Sequence, residues 1–99
     1  MLLIINENGW RLCNDGRWRD FALFGSVKQY KTVGHAKHRA EHIGGKVVKV
    51  PEGMSVAASG TVIETIPCPD KPGYVNYKHH RLSEFVVYPE PDGGVGRVV

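Results

Sequence analysis

Three histidines are the residues of this chain best spaced for metal chemistry. His35, His38 and His42 stand at i, i+3 and i+7, which puts them on one face if the stretch is helical. His38 and His42 have the i, i+4 separation that lets two imidazoles share a divalent ion. A zinc site needs at least a third protein ligand. Glu41, Cys13, Cys68 or the His79-His80 pair would have to supply it through folding, and the H-E-x-x-H pattern of hydrolytic zinc sites is absent. The stripe is therefore expected to face solvent or a partner, with no native metal and no cofactor.

Cations cluster at three places: Arg17-Trp18-Arg19, His35-Ala36-Lys37-His38-Arg39 and Lys78-His79-His80-Arg81. Cations interleaved with an aromatic ring suit nucleic acid, because charge neutralises phosphate while the ring stacks on a base. Tryptophan and arginine are equally the common anchors of protein interfaces, and Trp18 serves either as such an anchor or as cover for the first hairpin. Together with His42, the charged and aromatic members of these clusters form the candidate partner-binding set. No RNP, KH, zinc-finger or helix-turn-helix pattern accompanies them. The opposing expectation for each cluster is an ordinary solvated face.

Catalytic patterns are missing. There is no G-x-S-x-G, no phosphate-binding G-x-x-x-x-G-K-[ST] and no G-x-G-x-x-G. Gly93-Gly94-Val95-Gly96 opens no helix, and Cys68 between Pro67 and Pro69 has no assigned base, so it is a thiol rather than a nucleophile. The expectation is a protein that is not an enzyme, with a small metal-dependent enzyme a distant third reading.

The elements that must carry these residues are organised around one helix. Val33, Ala36, Ala40 and Ile43 recur at helical spacing between Thr32, placed to cap the N-terminus, and Gly44, placed for a left-handed stop. The spacing predicts a helix over about 33–43 that packs a narrow, small-residue face against a sheet and turns its histidines outward. A valine-rich strand, 46–50, follows directly. Ahead of the helix, 2–5 reads as a strand, and 10–13 with 17–24 as a hairpin around Asp15-Gly16. With that pair as a two-residue loop, Arg11 lies opposite Asp20 and Trp10 opposite Phe21. Beyond the helix, 54–58 and 61–66 form a second hairpin around Ser59-Gly60, with Val56 facing Ile63. The prolines between 67 and 73 exclude regular structure there. Residues 74–77 read as a short strand, 78–81 as a basic connector, 84–88 as the last strand and 89–99 as a loosening tail. The expected fold is a single α+β domain, 1–99: a mostly antiparallel twisted sheet of five to seven strands with the helix on one face.

Composition is compatible with that. Ninety-nine residues with 41% hydrophobic and 23% charged content suit one globular domain rather than a disordered chain. The net charge of +3 is uneven: residues 1–50 hold nine Lys/Arg against four acids, and residues 51–99 hold four against six. That asymmetry favours an acidic partner for the first half. The two distant cysteines make no disulfide framework. Five apolar residues at the start are too few for a signal peptide or membrane span. A cytoplasmic protein without membrane contact is expected.

From Trp10 to Gly53 the layout resembles small proteins common in bacteriophage genomes. The shared features are an aromatic hairpin, Lys28-Gln29-Tyr30-Lys31-Thr32, the Ala36-x-x-x-Ala40 helix, Gly44-Gly45 and a valine strand ending in Val50-Pro51-Glu52-Gly53. The resemblance implies a viral protein of the host-takeover or anti-defence kind, CRISPR inhibitors among them, which act by binding in the host cytoplasm. The function expected is thus occupation of a surface on a host protein or nucleoprotein complex. A small basic nucleic-acid-binding domain is the alternative.

Overall fold

The computed structural model describes residues 1–89. Within these residues, eight strands and one α-helix are arranged as three layers. Strands β1 (Leu2–Ile5), β2 (Arg11–Leu12), β3 (Trp18–Arg19), β4 (Lys46–Lys49) and β8 (Val86–Tyr88) form a five-stranded sheet in the order β3-β2-β1-β4-β8. Strands β5 (Met54–Val56), β6 (Thr61–Pro67) and β7 (Val75–Arg81) form a second sheet in sequence order. Every strand pairing is antiparallel. The α+β class stands, while the single sheet expected from the sequence is in fact two.

Alternation along β1 explains the layering. Its odd residues, Leu3 and Ile5, join Cys13, Val48 and Val50 in a core shared with Val62 and Leu82. Its even residues, Leu2 and Ile4, join Leu12 and Val47 against Ala36 and Ala40. Successive strand residues point to opposite faces, so the helix and the second sheet lie on opposite sides of the five-stranded sheet. A strand covered on both faces reads as an unbroken apolar run, and Leu-Leu-Ile-Ile is one.

The helix α1 (Val33–Ile43) has the expected ends. Thr32 accepts a bond from the His35 backbone N–H at 3.2 Å, and Gly44 adopts φ 75° while its N–H donates to the Ala40 carbonyl. Its buried contacts are Ala36 and Ala40, whereas Val33, expected on the apolar face, is exposed in the first turn. Alanines at the contact bring the helix close to the sheet. At the next bend, a Cβ on Gly45 would clash with Ile4 Cγ2 and stand 3.1 Å from Trp18 Cη2.

Both hairpin registers differ from expectation by one residue, for one reason. In the first, the Gly16 N–H donates to the Cys13 carbonyl and the Cys13 N–H to the Arg17 carbonyl, each at 2.9 Å. In the second, the Gly60 N–H donates to Ala57 and the Ala57 N–H to Thr61, at 2.9 and 2.8 Å. Gly16 and Gly60 have φ of 83° and 93°, and among the described residues none other than glycine has positive φ. A two-residue type I′ loop needs positive φ at both centres, which Asp15 and Ser59 do not adopt. Each loop is instead three residues, a tight turn closed by a left-handed glycine. Arg11 consequently pairs with Arg19 and Leu12 with Trp18, while Val56 pairs with Val62.

Two further expectations change. Residues 78–81 are no connector: they complete β7, where Lys78 lies opposite Glu64 and His80 opposite Val62. Cross-strand partners outweigh the weak strand preference of the basic run. The last strand is shorter than expected, because Leu82–Phe85 form a 3-10 helical turn in which Glu84 accepts from the Arg81 N–H at 2.7 Å. The expected tail lies, beyond Pro89, outside the described residues.

Candidate functional site

The candidate partner-binding residues are divided among separate layers. His35, Lys37, His38, Arg39 and His42 are all exposed on the outer side of α1. The His38 and His42 rings stand 4.7 Å apart. Among the described residues, no group of three or more His, Cys, Asp or Glu side chains converges on a metal position. Lys37 sits 5.1 Å over the Tyr88 ring, tying the helix to β8.

Arg17-Trp18-Arg19 is split by the strand it lies on. Trp18 is half-buried against the helix-side core, while Arg19, opposite Arg11 of β2, lies on the other face and bonds the Asp15 carboxylate. That pair, with the Arg17 N–H, holds the Asp15 carboxyl below the usual carboxylate range. Trp18 is thus in large part a structural side chain, with only part of its surface left for a partner.

Lys78-His79-His80-Arg81 divides in the same way. His79 and Arg81 pair with Ile63 and Thr61 and share an outward face with Tyr77, whose side chain is 63% exposed. His80 turns inward. Its Nε2 lies 2.9 Å from Glu64, its Nδ1 3.5 Å from Glu84, and its ring meets Phe85 edge-on. It ties two strands and the 3-10 turn together. Because the helix and this sheet cover opposite faces of the central sheet, the basic clusters do not merge into one surface.

The structure points instead to a segment absent from the candidate set. Phe21, Leu23 and Phe24 are 64%, 67% and 57% exposed, while Ala22 between them is buried. Three large apolar side chains on one loop leave an unusual amount of hydrocarbon in water. The loop is nonetheless anchored. The Ala22 N–H donates to the Ala58 carbonyl at 3.0 Å, and Phe24–Ser26 form a 3-10 turn. Beneath it lies Arg11, 1% exposed, whose guanidinium donates to the carbonyls of Ala57 (2.9 Å), Asp20 (2.8 Å) and Ala58 (2.6 Å). Burial lowers its pKa from the ordinary arginine value. Arg11 therefore staples the apolar loop and the second hairpin to the central sheet. In the sequence, Phe21-Ala22-Leu23-Phe24 looks like core strand. The signal pointing elsewhere is the Gly25-Ser26 break immediately after it.

Around this loop the surface is shallow. A depression of about 440 Å³ is lined by Phe21, Ala22, Leu23, Arg19 and the Cys13–Asp15 turn. A second, of about 300 Å³, is bounded by Lys28, Tyr30 and Arg39. Lys28 lies 5.9 Å over the Tyr30 ring, and burial pushes the Tyr30 phenol pKa up while Arg39 pulls it down. Such open, cation-rimmed ground suits contact with a large partner better than enclosure of a small molecule. No helix of the described residues is long and apolar enough to cross a membrane. Compared with known protein families, curated proteins and solved structures, the chain matches none of them.

Proposed function

We propose that this protein is a non-enzymatic binding protein that occupies a surface of another macromolecule. Its layout resembles that of small phage proteins, and on that resemblance the proposed partner is a host protein or nucleoprotein complex and the proposed outcome inhibition of host defence. The observation that carries the reading is the anchored loop exposing Phe21, Leu23 and Phe24. Aromatic and large aliphatic side chains surrounded by charge are the composition of an interface centre with a polar rim. The exposed cations of α1 would orient an acidic partner and speed encounter, as rim charges do.

Affinity capture from bacterial lysate, with and without nuclease, tests this. The expected result is a small set of proteins retained after nuclease treatment and lost when Phe21, Leu23 and Phe24 are together changed to Ser. Recovery that disappears with nuclease, and is indifferent to those changes, would replace this reading with nucleic-acid binding. A specific observation favours that second reading. The outward face of the three-stranded sheet carries Tyr77, His79 and Arg81, and both Glu64 and Lys78 belong to its inner face.

A further inference from the structure

The apolar loop does not stand alone. The two depressions described above share Cys13 and Asn14 in their linings, so they adjoin along one rim of the five-stranded sheet. The rim is held by hydrogen bonds. The Asn14 N–H donates to Ser26 (2.8 Å), Asn14 Nδ2 to Gly25 (3.0 Å) and the Lys28 N–H to Leu12 (3.0 Å). At one end stand Phe21 and Leu23, and at the other Lys28 and Arg39 flank Tyr30. No carboxylate lines the cationic end. At the apolar end Asp15 is already engaged by Arg19.

We propose that the two depressions form one docking surface for an extended acidic segment of a partner protein. An apolar side chain of that segment packs on Phe21 and Leu23, and a carboxylate lies between Lys28 and Arg39. The proposal rests on the protein-binding reading above and names the chemistry of the partner. Charge complementarity selects the acidic class: two cations with no acid between them attract an anion, and the apolar end selects a protein over a nucleic-acid strand. Phosphates would find cations not already bonded to an acid at one end only, because Arg19 at the other is held by Asp15, and Phe21 alone offers a ring there for a base to stack on. Spacing follows from the chain. From Leu23 to Lys28 is at most about 17 Å at the extended rise of about 3.3 Å per residue. The partner's carboxylate therefore lies within about five residues of its apolar anchor.

A displayed library of random peptides, panned on the full-length protein at physiological salt, is the test. Peptides that pair a large apolar residue with Asp or Glu within about five positions are expected to be enriched. For a selected peptide, Lys28→Glu with Arg39→Glu should weaken binding by roughly ten-fold or more, equivalent to about 1.4 kcal/mol. Lys28→Gln with Arg39→Gln should give a smaller loss. Thermal unfolding of each variant checks that the fold is retained, and the Gln pair carries the test where the Glu pair does not fold. Peptides that need Phe21 and Leu23 but show no acidic bias, or do not respond to either charge change, would overturn this inference and leave the loop reading standing. Absence of any peptide sensitive to Phe21→Ser with Leu23→Ser would overturn both. A labelled single-stranded oligonucleotide bound through Lys28 and Arg39 would reassign the cationic end and overturn it as well.

Discussion

Replacing Arg11 separates two ways in which a buried charge can hold layers together. Its guanidinium makes three charge-assisted bonds to carbonyls, each worth about 1.5–3 kcal/mol. Against them stands a desolvation cost of several kcal/mol for the buried ion, which its lowered pKa reflects. Its Nε is buried with no partner. The carbonyls are less dependent on Arg11 than they look. Ala57 also accepts from the Gly60 N–H and Ala58 from the Ala22 N–H, while Asp20 is an exposed residue that water can reach. Removing the guanidinium while keeping the volume therefore orphans no carbonyl completely. Arg11→Met is expected to cost only about 1–2 kcal/mol. Arg11→Ala adds a cavity beneath the loop and should cost about 3–5 kcal/mol. That is a large share of the roughly 5–15 kcal/mol a domain of this size has, and a fall in Tm on the order of 20 °C. Urea unfolding of wild type and both variants measures it. Equal losses for Met and Ala would show that the hydrogen-bonded fork, rather than the filled space, joins the layers, and would refute the reasoning.

Gly45→Ala should destabilise by about 1–3 kcal/mol through overpacking, because the new Cβ meets Ile4, Trp18 and the Ile5 carbonyl; an unchanged urea midpoint would place the helix farther from the sheet. Gly16→Val meets open space, so its expected loss of about 1 kcal/mol or more comes from the left-handed φ alone. Gly16→Asn, which tolerates that conformation better, should recover part of the loss in the same assay. Glu84 has its pKa lowered, chiefly by the Arg81 backbone N–H. Its contribution to stability is present above the unfolded value of about 4.3 and lost as pH falls through the lower folded value. Glu84→Gln should accordingly flatten the acid limb of the stability profile below about pH 4, read by thermal unfolding against pH. The triple Ser substitution at Phe21, Leu23 and Phe24 should leave Tm nearly unchanged, since these side chains are already in water; a large fall would mean that they pack.

Local chemistry was readable wherever it is settled within a few residues of chain. Thr32, the 3.6-residue spacing of the alanines and Gly44 bound the helix because caps and propensity act within a turn of it. Leu2–Ile5 was recognisable as a strand because an apolar run bounded by turn residues has few other uses. The turns were located at the right glycines, but their lengths were not. A single glycine serves either a two-residue loop or the last place of a three-residue one, and the choice depends on whether Asp15 and Ser59 take positive φ. One residue of difference moves every cross-strand partner, so Arg11 faced Asp20 in expectation and Arg19 in the structure.

What the sequence by itself determined is the helix with its outward histidines, the positions of the turns and the α+β class, each set by interactions between near neighbours. What only the tertiary structure decided is which apolar and charged residues meet water. Phe21, Leu23 and Phe24 were indistinguishable from core, and Arg11 from a surface cation, until packing placed Arg11 under the loop and left the three side chains outside. The same holds for the basic clusters, which share a composition but are carried to opposite faces of the central sheet. Exposure is a property of what covers a residue, and here the covering elements come from the far half of the chain: Ala57 and Ala58 lie 46 and 47 positions from the arginine they hold. No periodicity within a short window encodes that distance.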